Sequence, residues 1–381
     1  MKRLFHGSAI AWAAIVCAQT PSIPVENVIV YKEAGRYAGW PANHGIWSWG
    51  YEILAGFESG VFQYGERMHA IDYAKPQEHL LARSLDGGKT WKIEKPKELI
   101  PPPGSKMAGV PAEEGGRAPV DFTGSIDFKK PNFVMTWRMT DINVGPSRFC
   151  YSYDRGKTWE GPFKAPDFGT KGIAARTDYL IDGKKEATVF LTAAKTNGRE
   201  GRVFCARTKD GGKTWQQVGW VHPEPEGYGI MPSSVRVNKN SILTAVRRQE
   251  KGQTFIELYR SDDNGAQWKL VSVVTPRSTA NSGNPPSMLR LKDGRLCVTY
   301  GHREAPYGIR ARISRDDGAT WEDEIILRTD GGDRDLGYPR TVQRPDGKLL
   351  TVYYYNDAPD KERYIAAAIW DPGAKVQVSQ R

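Results

Sequence analysis

The chain has 381 residues, a formal net charge of +10 and 39% hydrophobic residues, with 40 glycines and 25 prolines. This length is enough for a large buried core, and the many turn-forming residues favour short strands over long helices. No uninterrupted apolar run is long enough for a membrane span. The basic residues are spread along the chain, which argues against a nucleic-acid-binding arm and is compatible with acidic glycans as partners.

The N-terminal residues have the composition of a secretory signal. Residues 1–20, MKRLFHGSAIAWAAIVCAQT, combine a basic start, an apolar middle and a small-residue end. Val16 and Ala18 suit the positions before a cleavage site, so residues 1–18 are predicted to be a signal peptide and the mature chain to begin near Gln19. A lipoprotein attached at Cys17 is disfavoured because Val16 is larger than the residue preferred there. The expected location is periplasmic or extracellular.

Three cysteines remain in the mature chain, namely Cys150, Cys205 and Cys297. Their number is odd, their spacings are wide, and they form neither a CxxC pair nor a zinc-ligand pattern. Cys150 and Cys205 fall in apolar segments just before a repeated motif. The sequence therefore favours buried thiols over a disulfide.

That repeated motif is an octet with the pattern S/T-x-D-x-G-x-T/Q-W. Its aspartate can accept hydrogen bonds from turn amides, its glycine supplies a positive φ, and its Ser/Thr hydroxyl ties the ends of the turn together. The tryptophan packs the turn against a sheet. A repeat every 53–68 residues predicts propeller blades or another modular array. The five copies are SLDGGKTW, SYDRGKTW, TKDGGKTW, SDDNGAQW and SRDDGATW, starting at residues 84, 152, 208, 261 and 314.

The segments between the octets share a second pattern. Residues 231–249, 285–303 and 338–356 each contain an apolar strand, a tight turn and a second apolar strand. A third strand leads into the octet and a fourth follows it. Weaker versions of the first two strands occur at 40–58, 121–138 and 176–195.

The last unit has no octet, so five marked units and one unmarked unit give six. We therefore predict an all-β fold, a single six-bladed β-propeller of four-stranded antiparallel blades over residues 19–381. Residues 25–33 can complete the last blade and close the ring. A stack of separate β-sandwich domains is disfavoured because no linker interrupts the period.

The octets resemble the Asp-box (BNR) repeats of the sialidase/neuraminidase superfamily, and six units match the propeller of that superfamily. The resemblance covers nearly the whole mature chain, and it is more specific for the fold than for the reaction. In a four-stranded blade the octets lie on the face opposite to the starts of the first strands and the ends of the second strands. Residues at those starts and ends are therefore the candidates for a site.

The resemblance implies three kinds of catalytic part: arginines that hold a substrate carboxylate, a nucleophilic tyrosine and a carboxylic acid that protonates the leaving oxygen. Tyr338, in DLGYPR, falls where the nucleophile is expected, and Asp72 is the preferred acid, with Glu66 and Glu78 behind it. Glu226 is a possible substitute for the base that activates the nucleophile. The candidate substrate-binding residues are Arg247 or Arg248, Arg303 or Arg310, Trp40, His44, His79, His302 and Tyr307.

Two features of the family are missing. The first blade of the family begins with Arg-Ile-Pro, whereas this chain has Gly39-Trp40-Pro41, and Arg36 lies four residues before Trp40. The glutamate that normally activates the tyrosine should lie about fifteen residues before the arginine of the fourth blade, where this chain has Pro232 or Ser233. A site for sialic acid itself is therefore less favoured than the fold.

Three functions remain open at the sequence level. The first is an exported exo-acting glycoside hydrolase acting on sialic acid or another acidic or modified terminal sugar. The second is a polysaccharide lyase or other glycan enzyme that uses Tyr338 with a histidine, and the third is a non-catalytic glycan- or protein-binding propeller. No metal or phosphate cofactor is expected, because the sequence contains no HExxH, P-loop or dinucleotide-binding motif.

Overall fold

The computed structural model describes residues 22–65, 68–103, 105, 115–279 and 283–374. The predicted signal peptide, Cys17 and Glu66 lie outside these residues. The described chain forms six antiparallel β-sheets, so the predicted six-bladed propeller is confirmed. No helix among the described residues is long and apolar enough to cross a membrane.

Strand β1 (Val25–Tyr31) precedes the first blade. Blade 1 contains β2 (Arg36–Gly39), the one-turn helix α1 (Pro41–His44), β3 (Ile46–Trp49), β4 (Glu52–Val61), β5 (Glu78–Ser84) and β6 (Lys92–Glu94), and a 3₁₀ turn (Lys97–Leu99) follows. Blade 2 contains β7 (Val134–Met139), β8 (Ser147–Ser152) and β9 (Glu160–Lys164). Blade 3 contains β10 (Ile173–Ala174), β11 (Tyr179–Ile181), β12 (Ala187–Ala194), β13 (Glu200–Thr208) and β14 (Gln216–Trp220).

The remaining blades have four strands each. Blade 4 contains β15 (Tyr228–Arg236), β16 (Ile242–Glu250), β17 (Gln253–Ser261) and β18 (Lys269–Val273). Blade 5 contains β19 (Ser287–Arg290), β20 (Leu296–His302), β21 (Gly308–Ser314) and β22 (Ile325–Arg328). Blade 6 contains β23 (Gly337–Gln343), β24 (Leu349–Tyr355) and β25 (Tyr364–Trp370), and β1 pairs with β25 as its outer strand.

This last pairing closes the ring between the two ends of the described chain. Val25 lies opposite Trp370 and Tyr31 opposite Ile365 in an antiparallel ladder. The prediction that residues 25–33 complete the last blade is therefore confirmed. Closure leaves the sixth blade with the same four-strand order as the fourth and fifth.

The inner strand varies among the blades. In blades 1 and 3 it is split, because β2 and β3 both pair with β4 while β10 and β11 both pair with β12. In blade 2 three strands form, and the predicted strand within 121–133 does not. Instead, the Ile126 amide donates to the Gly211 carbonyl of the third octet at 2.7 Å, and β7 is the innermost strand of that sheet.

The blades pack face to face, which explains the apolar runs. Strands β24 (LLTVYYY) and β25 (YIAAAIW) are buried at every position because both faces of a middle strand contact neighbouring blades. Outer strands such as β18 are largely exposed. A cluster of buried apolar residues fills each interface between neighbouring blades, and these clusters form the core.

The five octets build the same turn. In the first copy, Ser84 Oγ donates to Asp86 Oδ1 at 2.8 Å and accepts from the Gly88 amide at 2.8 Å. Asp86 Oδ1 also accepts from the Thr90 amide at 2.9 Å. The same three bonds recur in the other four copies, at 2.7–3.0 Å. The aspartates therefore lock turns, as the sequence predicts.

The backbone of these turns explains why glycine occupies the fifth position in all five octets. The fifth residue has a positive φ in every copy, from 77° at Gly156 to 98° at Gly265. The fourth residue also has a positive φ, including 63° at Arg155. Two consecutive left-handed residues reverse the chain tightly, and a side chain at the fifth position would add a steric cost.

Each octet connects the last two strands of its blade, so all five lie on one end of the propeller, here called the octet face. The opposite end, the site face, carries the starts of the inner strands and the turns between second and third strands.

Cys150, Cys205 and Cys297 are free thiols buried in the sheets, as predicted. Burial raises the pKa of Cys150 to about 12 and that of Cys205 to about 11, so these thiols are unreactive at neutral pH.

We expect Asp154→Ala to destabilise the fold without affecting the site face. The carboxylate accepts bonds from Ser152, Lys157 and Thr158, and its loss leaves turn amides without their partner. The free energy of unfolding should fall by about 2 kcal/mol. Urea unfolding measures this change. Glu26→Ala, which removes an exposed carboxylate from β1, should stay within about 0.5 kcal/mol of wild type, and an equal loss in both variants would contradict the turn-locking role.

Candidate active site

Three buried non-glycine residues in or next to the inner strands have left-handed backbones: Trp40 (φ 59°), Met231 (φ 53°) and Tyr338 (φ 49°). They lie where the inner strands of blades 1, 4 and 6 begin, and all three belong to one buried cluster. The ladders of β15 and β23 are interrupted at Met231 and Tyr338. Such strained positions cost of order 1–3 kcal/mol each and concentrate at functional sites.

Tyr338 lies at the centre of this cluster and is 9% exposed. Its hydroxyl oxygen accepts a hydrogen bond from Arg247 Nη1 at 3.1 Å. The Arg303 guanidinium carbon lies 5.4 Å from the centre of the Tyr338 ring. The Tyr338 amide donates to Asn284 Oδ1 at 2.7 Å, which fixes the backbone. One phenol thus faces two cationic side chains from blades 4 and 5.

These charges change the acidity of the phenol. Burial alone would raise the pKa of Tyr338, but the positive charges of Arg247, Arg303 and, less strongly, Arg176 lower that pKa below its ordinary value of 10. In return, Tyr228 and Tyr338 raise the pKa of Arg247 despite its burial. The site therefore favours a tyrosinate more than water does, which is what a tyrosine nucleophile or base requires.

The two arginines are held in different ways. Arg247 projects from β16, and its Nη1 also contacts the Met231 sulfur at 3.6 Å. Arg303 follows β20 and donates to the Leu336 carbonyl at 3.1 Å and to the Tyr354 hydroxyl at 2.8 Å. These printed contacts are to uncharged groups, namely the Met231 sulfur, the Leu336 carbonyl and the Tyr354 hydroxyl.

Arg176 approaches from blade 3 but is already neutralised. Its guanidinium forms a two-point contact with Glu200, including Nη2 to Oε2 at 3.3 Å, and its Nε donates to Asn43 Oδ1 at 3.0 Å. The site thus combines Arg247 and Arg303, which lie beside Tyr338, with a third arginine that is paired with Glu200.

A buried carboxylate lies behind Arg303. Asp335, just before β23, accepts bonds from His69 Nδ1 (2.6 Å), the Ala70 amide (3.1 Å), the Tyr354 hydroxyl (2.8 Å) and Arg363 Nε (3.0 Å). Burial would raise the pKa of Asp335, but the charges of His69 and Arg363 and these bonds hold it well below its usual range. Asp335 is therefore ionised at any physiological pH.

A second buried group lies between blades 1 and 2. His79 Nε2 lies 2.7 Å from Glu58 Oε1, and Arg138 Nη1 lies 3.0 Å from His79 Nδ1 and also contacts His44 Nδ1. Burial raises the pKa of Glu58 to about 7 although Arg138 and Arg148 oppose it. Burial and the Arg138 charge lower the pKa of both histidines well below their ordinary value, so both imidazoles are neutral.

His44, Glu58 and His79 could offer three metal-ligand atoms within 4.8 Å of one another. The histidine tautomers argue against this use. An imidazole that accepts the Arg138 N–H at Nδ1 carries its own proton on Nε2, the nitrogen that faces Glu58 and that a metal would need. The guanidinium already supplies the positive charge of this group, so the arrangement fits a divalent metal poorly.

The structure brings together three of the predicted site residues, Tyr338, Arg247 and Arg303, with Trp40 beside them. Arg248 faces the other way, where it pairs with Glu257 at 2.8 Å, so of the two consecutive arginines only Arg247 contacts Tyr338. Arg310 is turned into blade 5, where it donates to the Arg328 carbonyl at 2.7 Å. Trp40 is 3% exposed and packs on Tyr37 and His69, so the predicted stacking on a sugar ring would need its ring to be uncovered.

The predicted carboxylates are engaged elsewhere. Asp72 Oδ1 accepts from the Ala74 amide within its own turn at 2.9 Å. Glu78 pairs with Arg36 at 2.7 Å and Lys95 at 2.9 Å near the surface. Glu226 is exposed on the connection before β15. None of these three contacts Tyr338 or its arginines in the described chain.

The remaining predicted residues lie apart from Tyr338. His44 and His79 belong to the group around Glu58. Tyr307 is half-buried in the loop after β20 and accepts a bond at its carbonyl from the Tyr355 hydroxyl at 3.4 Å. His302 lines a cleft of about 310 Å³ between blades 4 and 5. That cleft also touches Arg303 and Asn284, so it adjoins the site.

Sequence reasoning missed His69, Asp335, Tyr354 and Arg363. Asp335 stands three residues before Tyr338, and a search for any carboxylate near the start of an inner strand would have found it. His69 lies in the loop where the sequence analysis sought a carboxylic acid. The residue beside Arg247 is Met231, rather than Pro232 or Ser233 at the expected place of the activating glutamate.

Comparisons with known proteins agree with this architecture. Residues 131–351, more than half of the chain, match the family model described as "BNR repeat-like domain". The chain belongs to this family. A sialidase of Bacteroides fragilis is 25% identical over 296 residues, which cover 67% of this chain and 51% of that relative. The chain thus spans about half the length of this curated relative.

Two solved structures share the fold of this BNR repeat-like propeller. A protein of unknown function from Dyadobacter fermentans superposes with a TM-score of 0.68 at 24% identity, covering 92% of this chain and 100% of that one. An α-L-arabinofuranosidase from Fusarium graminearum, solved with an iminosugar inhibitor, superposes with a TM-score of 0.57 at 12% identity, covering 92% and 98%. Both structures are under 25% identical to this chain, so they show a shared fold.

Arg247→Met should raise the pKa of Tyr338, because it removes the nearest positive charge. Removal of an opposite charge within hydrogen-bonding distance is expected to shift the pKa upward by about 1–3 units. Titration of ¹³Cζ-labelled tyrosine by NMR measures this pKa. The signal that is absent from the spectrum of Tyr338→Phe belongs to Tyr338. Arg248→Met is the matched control, and an equal shift there would show that the contact with Arg247 is not the cause.

Glu58→Gln should alter the pH dependence of stability. A carboxyl with a raised pKa in the folded state stabilises the fold fully below pH 4.5, and this contribution is lost as the pH rises through about 7. Between pH 5 and pH 8, the free energy of unfolding of Glu58→Gln should therefore rise by about 2–3 kcal/mol relative to that of the wild type. Urea unfolding at several pH values measures it. A difference that does not change with pH would contradict the raised pKa.

Proposed function

We propose that this chain is an exported exo-acting glycoside hydrolase that removes an acidic or modified terminal sugar, with Tyr338 as its nucleophile. The observation that carries the proposal is the buried Tyr338 hydroxyl bonded to Arg247, with Arg303 over its ring. A tyrosine with an unperturbed pKa near 10 is a poor nucleophile, and these two charges supply the activation that it lacks. The sialidase and arabinofuranosidase names among the relatives support a glycan-active propeller.

The same charges favour an anionic substrate. A sugar carboxylate beside Arg247 and Arg303 would form charge-assisted hydrogen bonds in a water-poor pocket, where such bonds are strongest. The resemblance to sialidases implies three arginines, but here Gly39 stands where the first is expected, and Arg176 is paired with Glu200. The positive charges of Arg247 and Arg303 beside Tyr338 fit a carboxylated sugar, and the missing first arginine favours a sugar other than sialic acid.

A lyase is the second candidate. Met231, rather than a carboxylate, contacts Arg247, and in the described chain no glutamate touches Tyr338 to serve as the activating base. A tyrosinate beside arginines can instead remove the proton next to a sugar carboxylate, with the arginines stabilising the charge that develops. This route forms a carbon–carbon double bond, whereas hydrolysis does not.

One assay separates these functions. The purified protein is incubated with aryl glycosides, sialyl conjugates and acidic polysaccharides while reducing ends and the absorbance of new double bonds are followed. Released sugar without new absorbance supports the hydrolase, and new absorbance supports the lyase. Glycan binding without any product would overturn both in favour of a binding propeller.

Tyr338→Phe should abolish this activity while the fold remains intact. The substitution removes only the reacting oxygen, and kcat should fall by at least about 1,000-fold. The matched control is Tyr353→Phe, which removes another buried hydroxyl of blade 6 that bonds Asn27 at 3.1 Å. Retained activity in Tyr338→Phe, or an equal loss in both variants, would contradict the role of Tyr338.

A further inference from the structure

The loop between β4 and β5 carries a histidine toward the site. His69 Nδ1 lies 2.6 Å from Asp335 Oδ1, and the adjacent Ala70 amide binds Asp335 Oδ2 at 3.1 Å. The edge of the His69 ring packs on Trp40, with ring centres 5.1 Å apart. A bond to one buried carboxylate and one ring contact thus fix the imidazole, and the bond from the Ala70 amide holds the adjacent backbone.

We infer that His69, oriented by Asp335, is the proton donor to the leaving oxygen in the hydrolysis proposed above. Nothing in the resemblance or among the relatives assigns this residue, and the inference rests on the proposed hydrolase function. It replaces the carboxylic acid that the sequence analysis sought in the same loop.

The tautomer of His69 follows from its partner. An ionised carboxylate only accepts hydrogen bonds, so Nδ1 carries the proton that lies between the two groups. In the part of the chain that the structure describes, no group bonds to Nε2, and the side chain keeps 12% exposure. The imidazolium form of His69, with a proton on each nitrogen, can therefore give its Nε2 proton to a bound molecule, and the neutral form can take one back, in the same way as a histidine held by an aspartate in other hydrolases.

The other acids of the region are less suited to this role. Asp335 cannot donate, because it is ionised and shares its oxygens among four donors. Asp72 caps its own turn, and Glu78 is bound by Arg36 and Lys95. Of His69, Asp72 and Glu78, His69 is the residue that bonds to Asp335.

Asp335 also connects His69 to Tyr338. The carboxylate oxygen that binds His69 accepts the Tyr354 hydroxyl at 2.8 Å, and that hydroxyl accepts from Arg303 at 2.8 Å. The Tyr354 and Tyr338 rings are 5.9 Å apart. His69 and Tyr338 therefore border the same small region, His69 on the side of blade 1 and Tyr338 on the side of blade 6.

The two residues complete a balanced reaction. The Tyr338 phenolate oxygen bonds to the anomeric carbon, and the bond from that carbon to the leaving oxygen breaks with its electron pair on the oxygen. The His69 Nε2 proton moves to that oxygen, which leaves a neutral imidazole. In the second half, Nε2 takes a proton from water, the water oxygen bonds to the anomeric carbon, and the bond from that carbon to the Tyr338 oxygen breaks with its electron pair on the oxygen, so that the phenolate and the imidazolium are restored.

The test is the dependence of His69→Gln on the leaving group. Dinitrophenyl and phenyl glycosides are prepared with the sugar that the wild-type protein releases, and kcat/KM is measured for each. A dinitrophenolate leaves without protonation, so kcat/KM for its glycoside should fall by less than about 5-fold in His69→Gln. For the phenyl glycoside, kcat/KM should fall by at least about 100-fold. Added imidazole should partly restore cleavage of the phenyl glycoside by His69→Ala.

Asp72→Asn is the rival variant from the same loop and should show no dependence on the leaving group. Thermal unfolding of each variant shows whether it is folded. Equal losses on both glycosides, or a leaving-group dependence in Asp72→Asn instead of His69→Gln, would overturn the role of His69 and leave the hydrolase proposal standing. Failure of the wild-type protein to release sugar from any glycoside would overturn both.

Discussion

The face-to-face packing of six sheets is the constraint on which the rest of the structure depends. Because each middle strand is covered on both faces, its side chains are largely apolar, as in β24 and β25. The polar residues of the candidate site lie toward strand ends on the site face, with Tyr338 near the start of β23 and Arg247 in the second half of β16. The antiparallel ladder of β1 with β25 closes this ring, so the positions of Trp40 and Tyr338 relative to each other depend on it.

The buried charged groups of the candidate site stabilise one another, because groups of opposite charge lie side by side. Arg247 and Arg303 would each be costly to bury alone, and the acidic phenol of Tyr338 between them reduces that cost. On the other side of Arg303, Asp335 gathers His69, Tyr354 and Arg363. The left-handed backbones of Met231 and Tyr338 hold their side chains against this network, and the apolar packing around them offsets the strain.

Local patterns predicted the fold well. The octets encode their own turns through bonds between residues two to four apart, so the sequence shows them directly, and their spacing gives the number of blades. Alternation within strands also predicts that Arg247 and Arg248 face opposite sides. The missing inner strand of blade 2 could not be predicted, because residues 121–133 pack on the third octet through a contact 85 residues away in sequence.

The chemistry of the site was less predictable for the same reason. His69 and Asp335 are 266 residues apart, and no local pattern connects them. The acid expected in the loop before β5 was sought among carboxylates, whereas the loop delivers a histidine to a carboxylate of blade 6. Asp72 and Glu78 have the expected chemistry at the expected place in the sequence, but their nearest partners are a turn amide and surface cations.

The central claim, that the Tyr338 oxygen is the reacting atom, can be tested directly by trapping the covalent intermediate. The protein is treated with a fluorinated glycosyl fluoride of the sugar that it releases, digested with trypsin and analysed by mass spectrometry. Cleavage after Arg334 and Arg340 yields the peptide DLGYPR. If the Tyr338 oxygen is the nucleophile, this peptide should gain the mass of one fluorosugar, and fragmentation should place the addition on Tyr338. A fluorosugar on any aspartate or glutamate of the chain would contradict it.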